Sequence, residues 1–555
     1  MAPRTTLLAI LALLVAFAVA GVAADRFTRA HPSPDSQAVQ LARMTKAGGA
    51  EQLYWTQLKE GPVTVGLLVS FLDAHERAIF EAAPEVTTGA GPAREHIRVH
   101  MGPAIDEAAI DAFLARTDLP DGVTLLGRYW RGVLRNADEP DLEHDVAQAA
   151  DAEPPMPWAN HLIAEDAIRS MHFDVAAARF LREGARYTPS GSRGSDDDPR
   201  ASDVDAALSI WAKFGAWDRM EEALRDPRVE ARAEPWLELR VAIRARDWKR
   251  AARAYVRSLP PSLSIGTGLL AAIAALAWGT FCARLGGLGA RPRLRAPLYL
   301  AAFVLGFASV TLTLAIAALE EGLLNMTETG DTVRDALYFT FGVGLREEAP
   351  KLLFFAALLP ILHRKGTRLD VLVCGALVGL GFAAEENLNY LRVGDLSTGM
   401  ARFLTANFFH MSMTAILAGA LDDMLRAKDD GASMRFSKAL LGVAGLHGLY
   451  DFFLSEHSFG GRGREGGNDG FLAMLIFLLL ARWFLALVSA ARAKERAANP
   501  RLLETFAFGM AIVVGASFVY ASALVGPGAA ASALAEGLLG LGIIIILFVQ
   551  ELRRV

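Results

Sequence analysis

Nine long apolar segments follow one another after Ser262, and they constrain the fold more than any other feature of the chain. Each is close to the ~20 residues that a helix needs to cross a bilayer. They fall near 264–284, 297–318, 334–362, 370–391, 402–424, 437–455, 471–491, 503–525 and 528–549. The sequence therefore predicts an all-α, polytopic membrane bundle of about nine spans over residues 262–555.

A further apolar run lies at the amino terminus. Met1–Arg4 is a short basic lead, and the run Thr5–Ala24 follows it. Val22-Ala23-Ala24 before Asp25 resembles a cleavage site, whereas the length of the run favours an uncleaved anchor. Residues 1–24 are thus predicted to be a signal anchor or a signal peptide, and both interpretations export the residues that follow.

Residues 25–261 are polar and acidic, so the mean hydropathy of +0.28 averages two different regions. This stretch has 38 acidic and 30 basic residues, a net charge of −8. An acidic surface argues against a nucleic-acid partner, because such binding needs positive charge. Both cysteines, Cys282 and Cys374, lie outside the stretch. A disulfide-stapled domain is therefore excluded.

The polar region is predicted to be helical. Three stretches place large and small residues on one helical stripe. They are Phe173/Ala176/Phe180, Trp217/Met220/Leu224 and Trp248/Ala251/Tyr255. Their spacing is near the ~34 residues of tetratricopeptide helix pairs. The alternatives are a degenerate tetratricopeptide-like array, which could bind a protein partner, and an irregular helical domain. The segment Gly191–Asp198 has the composition of a solvated loop or linker.

Positive charge predicts the orientation of the bundle. Arginine and lysine are concentrated in alternate connections, with Arg4 on the same side, and the intervening connections include the acidic stretch from Glu320 to Asp331. Because positive connections face the cytoplasm, residues 25–261 are predicted to be extracytoplasmic. Arginine exceeds lysine 47 to 9 in an alanine-rich chain. This composition suggests a GC-rich bacterium and therefore its inner membrane.

Four consecutive spans contain ionisable residues where charge is costly. The third span has Glu347, Glu348 and Lys351, and the fourth has Glu386 beside Asn387. The fifth contains His410, and the sixth contains His447 and Asp451 on one helix face. Glu347, His410 and His447 lie about 12 to 20 Å from the outer ends of their spans at 1.5 Å per residue, and Glu386 is shallower. These depths allow the residues to meet in one cavity in the outer half of the bilayer.

The types of residue in this group suit hydrolysis. A carboxylate in an apolar site can act as a general base for water, and two imidazoles can bind a metal or stabilise an oxyanion. Lys351 lies four residues after Glu347 and can balance one acid. Carboxylates and histidines at membrane depth also form ion pathways, so a proton- or ion-coupled transporter is the alternative. A catalytically dead scaffold that presents the exported domain is a third hypothesis.

At these positions the sequence resembles the PrsW family of intramembrane proteases, which is related to the CAAX-processing membrane proteases. The resemblance rests on four motifs in family order over the motif core 344–451. They are Glu347-Glu348-x-x-Lys351, Phe382-x3-Glu386-Asn387, His410 and His447-x3-Asp451.

The resemblance implies an intramembrane endopeptidase whose site consists of these residues. Glu347 would activate water, with Glu348 orienting it, and His410 and His447 would be metal ligands or oxyanion donors. Asp451 would be a ligand or would hold His447, while Lys351, Glu386 and Asn387 would support the site. Zinc on His410, His447 and Asp451 and a metal-free glutamate reaction are both compatible with this set. The implied substrate is a membrane-anchored protein such as an anti-sigma factor, cleaved near the extracytoplasmic side.

Overall fold

The computed structural model describes most of the chain. The described residues are 3–30, 47–82, 105–187 without 138, 199–259, 265–393 without 330, 402–540 without 404, 428, 459–468 and 496–500, and 546 and 549–552. Every regular element in these ranges is helical, which confirms the all-α prediction. The predicted loop Gly191–Asp198 lies outside the described residues.

The chain divides into two compact units, residues 31–242, and residues 1–30 together with 243–555. Capping aspartates begin several helices of the polar region: Asp106 and Asp247 accept backbone N–H groups of the first turns that follow them. The helices up to residue 258 are α1 Pro3–Ala30, α2 Ala47–Glu60, α3 Val65–Ala82, α4 Glu107–Leu114, α5 Asp121–Leu134, α6 Pro140–Asp151, α7 Ala159–Arg169, α8 Phe173–Arg186, α9 Asp203–Lys213, α10 Trp217–Ala223, α11 Pro227–Glu230, α12 Pro235–Arg244 and α13 Trp248–Ser258.

The described residues of the unit 31–242 form two hydrophobic clusters. The first is built around Trp55, Phe71 and Trp130, and the second around Phe180 and Met220. Phe173, Trp217 and Trp248 are each the first residue of a helix, and Ala176 and Ala251 of the predicted stripes are buried. The tetratricopeptide-like arrangement of these helices stays a prediction.

The second unit holds the predicted spans. Its remaining helices are α14 Ile265–Leu285, α15 Pro292–Leu324, α16 Thr332–Leu337, a π-helix Tyr338–Gly344, α17 Leu345–Ala356, α18 Leu359–Lys365, α19 Arg368–Val393, α20 Ala406–Arg426, α21 Ala432–Ser458, α22 Asp469–Glu495, α23 Leu502–Val525 and α24 Pro527–Gly540.

Five helices of the described residues are long and apolar enough to cross a membrane. They include the segment Thr6–Thr28 of α1, and the other four fall in α14, α15, α22 and α23. A multi-pass membrane protein is therefore confirmed, while the count of nine spans stays a prediction. The helices α17, α19, α20 and α21, which carry the four motifs, are not among the five.

The third predicted span, 334–362, is subdivided in the structure. A π-helix precedes Glu347, and a turn at residues 357–358 separates α17 from α18. Pro360 near the start of α18 lacks the N–H that a continuous helix needs, which explains the second boundary. π-helical turns inside α-helices are frequent at functional sites, and this one lies directly before the Glu347-Glu348 pair.

Helices α19 and α20 form the centre of the bundle. Residues 369–384 of α19 and 406–419 of α20 are buried on every face, as expected of helices without a solvent or lipid side. One end of α19 is fixed by Asp370, whose carboxylate accepts a hydrogen bond from Arg295 Nε at 2.6 Å and another from the Thr367 N–H at 2.9 Å. This buried, fully hydrogen-bonded acid sets the position of α19 against α15.

Candidate functional site

Close contacts between helix backbones bring the motif residues together. A Cβ atom at Gly344 would overlap the Ala444 carbonyl oxygen of α21, and a Cβ at Gly379 would overlap the His410 carbonyl oxygen of α20. Only glycine permits such an approach. As a result, the start of α17 lies against the part of α21 that carries His447, and α19 lies against the start of α20.

The Lys351 ammonium is at the centre of the site. Its Nζ donates a hydrogen bond to Glu348 Oε1 at 2.8 Å and another to Glu347 Oε2 at 3.4 Å. It also lies 2.9 Å from His410 Nδ1 and 3.8 Å from the centre of the Phe382 ring. Lys351 and Glu348 are fully buried. An enclosed ammonium needs such partners, because an unpaired charge at this depth would be very costly.

The contacts of His410 define the state of its ring. An ammonium has hydrogens to donate and no lone pair, so His410 Nδ1 accepts from Lys351. The remaining hydrogen is then on Nε2, which lies 2.9 Å from Glu386 Oε2. His410 is therefore a neutral imidazole, held between an ammonium on one side and a carboxylate on the other.

His447 is surrounded by carboxylates. Its Nδ1 lies 3.0 Å from Glu348 Oε1, and its Nε2 lies 3.3 Å from Asp451 Oδ2 and 3.6 Å from Glu347 Oε2. The His410 and His447 rings meet edge to face, with centroids 5.3 Å apart. Both imidazoles thus lie next to the Glu347-Glu348 pair.

The two acids of this pair differ in access. The Glu347 side chain keeps 14% of its surface exposed, whereas Glu348 has none. Glu386 and Asp451 are also partly exposed, at 21% and 28%. Glu347 is therefore the member of the pair that a molecule entering the site could reach, and Glu348 faces only protein.

Sequence reasoning missed Arg402, which lies at the edge of the site. Its Nη2 is 3.0 Å from Glu386 Oε2, its Nε donates to Asn387 Oδ1 at 3.2 Å, and its guanidinium stacks 3.5 Å from the centre of the Tyr390 ring. Asn387 in turn donates to Asn407 Oδ1 at 2.9 Å. Arg402 therefore supports the Glu386-Asn387 motif directly.

The signal for Arg402 was present in the charge pattern. The positive-inside rule predicts few arginines at the outer ends of spans, and Arg402 is predicted to lie at such an end. An arginine that departs from this rule needs an acidic partner or a function. The aromatic ring on which this arginine stacks is that of Tyr390, near the end of α19.

Three residues of the described chain could together hold a metal ion. Glu347, His410 and His447 each offer one ligand atom, and these atoms lie within 4.8 Å of one another. Two imidazoles and a carboxylate are a common donor set for zinc. Asp451, for which the resemblance implies either ligation or support of His447, lies 3.3 Å from His447 Nε2. The buried Oε2 of Glu348 has no hydrogen-bond partner among the described residues, so the cluster keeps unused acceptor capacity.

Comparison with known proteins identifies the domain. Residues 295–484 match the model of the PrsW family intramembrane metalloproteases, which confirms the resemblance seen in the motifs. This segment contains every candidate site residue and Arg402. No curated protein and no solved structure matches the chain.

Proposed function

We propose that this chain, which carries a PrsW family intramembrane metalloprotease domain over residues 295–484, cleaves a membrane-bound protein with water activated by Glu347. The observation that carries the proposal is the difference within the acidic pair. The Glu347 carboxylate is accessible and lies beside both imidazoles, whereas Glu348 is enclosed with Lys351. Cleavage would occur in the extracytoplasmic half of the bilayer, which is the depth predicted for the motifs.

Glu347 would act first as a base and then as an acid. Its carboxylate would take a proton from water as the water oxygen attacks the carbonyl carbon of the scissile peptide bond. The same proton would pass to the departing amine when the carbon–nitrogen bond breaks. Lys351 supports this role, because its ammonium is bound mainly by Glu348 at 2.8 Å and only weakly by Glu347 at 3.4 Å.

The histidines would stabilise the negative oxygen of the tetrahedral intermediate. His447 lies 3.6 Å from Glu347 Oε2, so its ring borders the atom that would hold the water. Asp451 and Glu348 would orient this ring, because the Asp451 carboxylate contacts Nε2 and the Glu348 carboxylate contacts Nδ1. His410 is fixed by Lys351 and Glu386 and would complete the polar wall.

Glu347, His410 and His447 are ligand types that zinc prefers, and their atoms lie within 4.8 Å of one another. Both His410 nitrogens are engaged, by Lys351 and by Glu386, so zinc binding would require His410 to give up one of these contacts. Glu347, His410 and His447 would hold the ion, while Asp451 would keep the His447 ring in place. A bound zinc ion would polarise the peptide carbonyl and lower the pKa of water. In the metal-free alternative, the Lys351 ammonium, which lies against both Glu347 and His410, would be the positive charge of the site.

The remaining assignments follow from topology. We place the chain in a bacterial inner membrane, with residues 25–261 outside the cytoplasm, where a helical domain can select protein substrates such as an anti-sigma factor. Residues 1–24 would be a retained anchor, since the Phe17 ring of α1 lies against Gly515 of α23.

Substitution of the reacting residues tests the protease function. Full-length protein carrying Glu347→Gln is expected to cleave a membrane-anchored substrate at least ~100-fold more slowly, because the base is lost. His410→Ala and His447→Ala should each cost about 100-fold. The matched control is Glu385→Gln. The Glu385 carboxylate lies one residue before Glu386 and accepts a hydrogen bond from Asn389. Normal cleavage by all three site variants would refute the proposal.

Chelation then separates the two forms of the reaction. If zinc is the cofactor, a chelator should abolish cleavage by the wild-type protein, and added zinc should restore it. Metal analysis of the purified chain gives a second readout, since His447→Ala should then lose the ion. Full activity in the chelator, with no zinc in the purified protein, would establish the glutamate-type reaction.

A further inference from the structure

A groove outside the protease site lies between α14 and α23. Its volume is about 490 Å³. Neither helix is part of the matched segment 295–484, and both contain segments long and apolar enough to cross a membrane. The groove therefore belongs to a part of the chain to which the family assignment gives no role.

The groove has a narrow floor and apolar walls. At its floor the helices approach at Ala277 and Gly509, where a Cβ on the glycine would lie 3.3 Å from the alanine Cβ. Leu276 of α14 and Phe508 and Ile512 of α23 form its walls. Leu276 and Ile512 are 72% and 39% exposed. The walls therefore present hydrocarbon surface to the medium around the bundle.

One end of the groove is basic. Arg284, near the end of α14, and Arg501, directly before α23, both line it. Glu504 also lines this end and lies 3.9 Å from Arg501, which leaves a net charge of about +1. A neighbouring arginine, Arg492, has a structural role, because its Nη1 donates to the Leu285 carbonyl oxygen at 2.6 Å. Among the lining residues, charge is thus confined to one end, and the rest of the groove is apolar apart from Thr280 and Thr505.

The length of the groove matches one membrane leaflet. Ile273 lies eleven residues before Arg284, and Ile512 lies eleven residues after Arg501. At 1.5 Å per residue, this stretch of either helix is about 16 Å long. This is about half of the ~30 Å hydrocarbon core. The positive-inside pattern predicts that the arginine end faces the cytoplasm, so the groove would extend from the inner interface to about the midplane.

We propose that this groove binds an anionic phospholipid of the cytoplasmic leaflet. The lipid phosphate lies at Arg284 and Arg501, and one acyl chain lies along Leu276, Phe508 and Ile512. Basic pockets between membrane helices on the cytoplasmic side are suited to anionic headgroups. The proposal concerns lipid binding and holds whether or not the chain is a protease.

Lipid competition on the purified full-length protein tests the proposal. Bound lipid is measured by native mass spectrometry after incubation with equal amounts of phosphatidylglycerol and phosphatidylcholine. The wild-type protein should retain phosphatidylglycerol about tenfold more. Two changes should reduce this preference to near unity: Arg284→Gln with Arg501→Gln, which removes the charges, and Thr280→Trp, which fills the groove and leaves the charges in place.

The control is Arg293→Gln with Arg364→Gln. It removes two exposed arginines outside the groove that are also predicted to face the cytoplasm, and it should keep the preference. Equal retention of the two lipids by the wild-type protein would overturn the proposal and needs no variant. The control pair could also lose as much of the preference for phosphatidylglycerol as Arg284→Gln/Arg501→Gln does. That result would show that general surface charge causes the preference, and it would overturn the proposal. Unchanged binding by Thr280→Trp would overturn the placement of the acyl chain. Displacement of the lipid by millimolar glycerol phosphate would identify a free phosphate site instead.

Discussion

Arg402 illustrates how a single residue can organise others at the site. Its guanidinium contacts Glu386, Asn387 and the Tyr390 ring at once. Glu386 then lies against His410, whose other nitrogen is bound to Lys351. Contacts between charged and polar side chains thus run without a break from Arg402 at the edge of the site to Lys351 at its centre. Arg402 is a positioning residue, because it acts on His410 through Glu386.

Replacing Arg402 should slow the reaction without abolishing it. Removing a residue that positions a reacting group in this way typically lowers the activity roughly 10–100-fold. We expect Arg402→Gln to lower kcat by that amount with little change in KM, and Arg402→Lys to recover part of the loss, because it keeps the charge beside Glu386. The control is Arg334→Gln, an exposed arginine of α16. Equal kcat values for Arg402→Gln and the wild-type protein would contradict this role.

At the residue scale, the candidate site was predictable because ionisable residues stand out in apolar segments. Glu347, Lys351 and His447 are conspicuous because they interrupt apolar segments, and the structure places them within hydrogen-bonding or ion-pair distance of other motif residues. Arg402 was missed because it belongs to none of the four motifs, and its partners Glu386 and Tyr390 lie on a different helix, α19. The distinction between Glu347 and Glu348 depends on access, which two adjacent acids in a sequence do not reveal.

At the scale of elements, the site depends on how closely α21 approaches the π-helix. Gly448 follows His447, and a Cβ on it would overlap the Phe339 carbonyl oxygen. The neighbouring backbone cannot move aside as a flexible side chain could. This contact holds the His447 segment against the residues that lead into Glu347.

Two glycine substitutions in α21 separate packing from helix propensity. Gly448→Ala should destabilise the protein by about 1–3 kcal/mol, because the added methyl forces the two elements apart. Gly442→Ala, in the same helix with nothing within 4 Å of its Cβ position, should be neutral or stabilise by about 0.5–1 kcal/mol. Thermal unfolding in one detergent gives the comparison. Equal stability of the two variants would show that the close approach is not required.

The order of elements was largely predictable and their interruptions were not. Apolar runs of span length predicted helices, and helices occupy each predicted segment in the described residues. The π-helix at Tyr338–Gly344 was not predicted, because its apolar composition is compatible with an ordinary α-helix. Backbone contacts such as those of Gly344 and Gly448 arise between elements, where a single sequence carries little information.

For the whole molecule, the predicted orientation can be tested by labelling. Both native cysteines are buried, so the wild-type protein should give little background. Asp218→Cys in the polar unit and Glu328→Cys after α15 should react with a membrane-impermeant maleimide added outside intact cells. Gly289→Cys, at the predicted inner side, should react only after permeabilisation. All three residues are exposed. Labelling of Gly289→Cys in intact cells would contradict the topology.

The charged character of the motif helices also affects how this protein is made. Helices α17, α19, α20 and α21 carry the ionisable residues of the four motifs. Each would carry costly unpaired charge if it entered lipid alone. Contacts such as Lys351 with Glu348 and His410 remove much of that cost only when the helices are together. These four helices should therefore leave the insertion machinery as a group, so that assembly of the site is a step in the biogenesis of the protein.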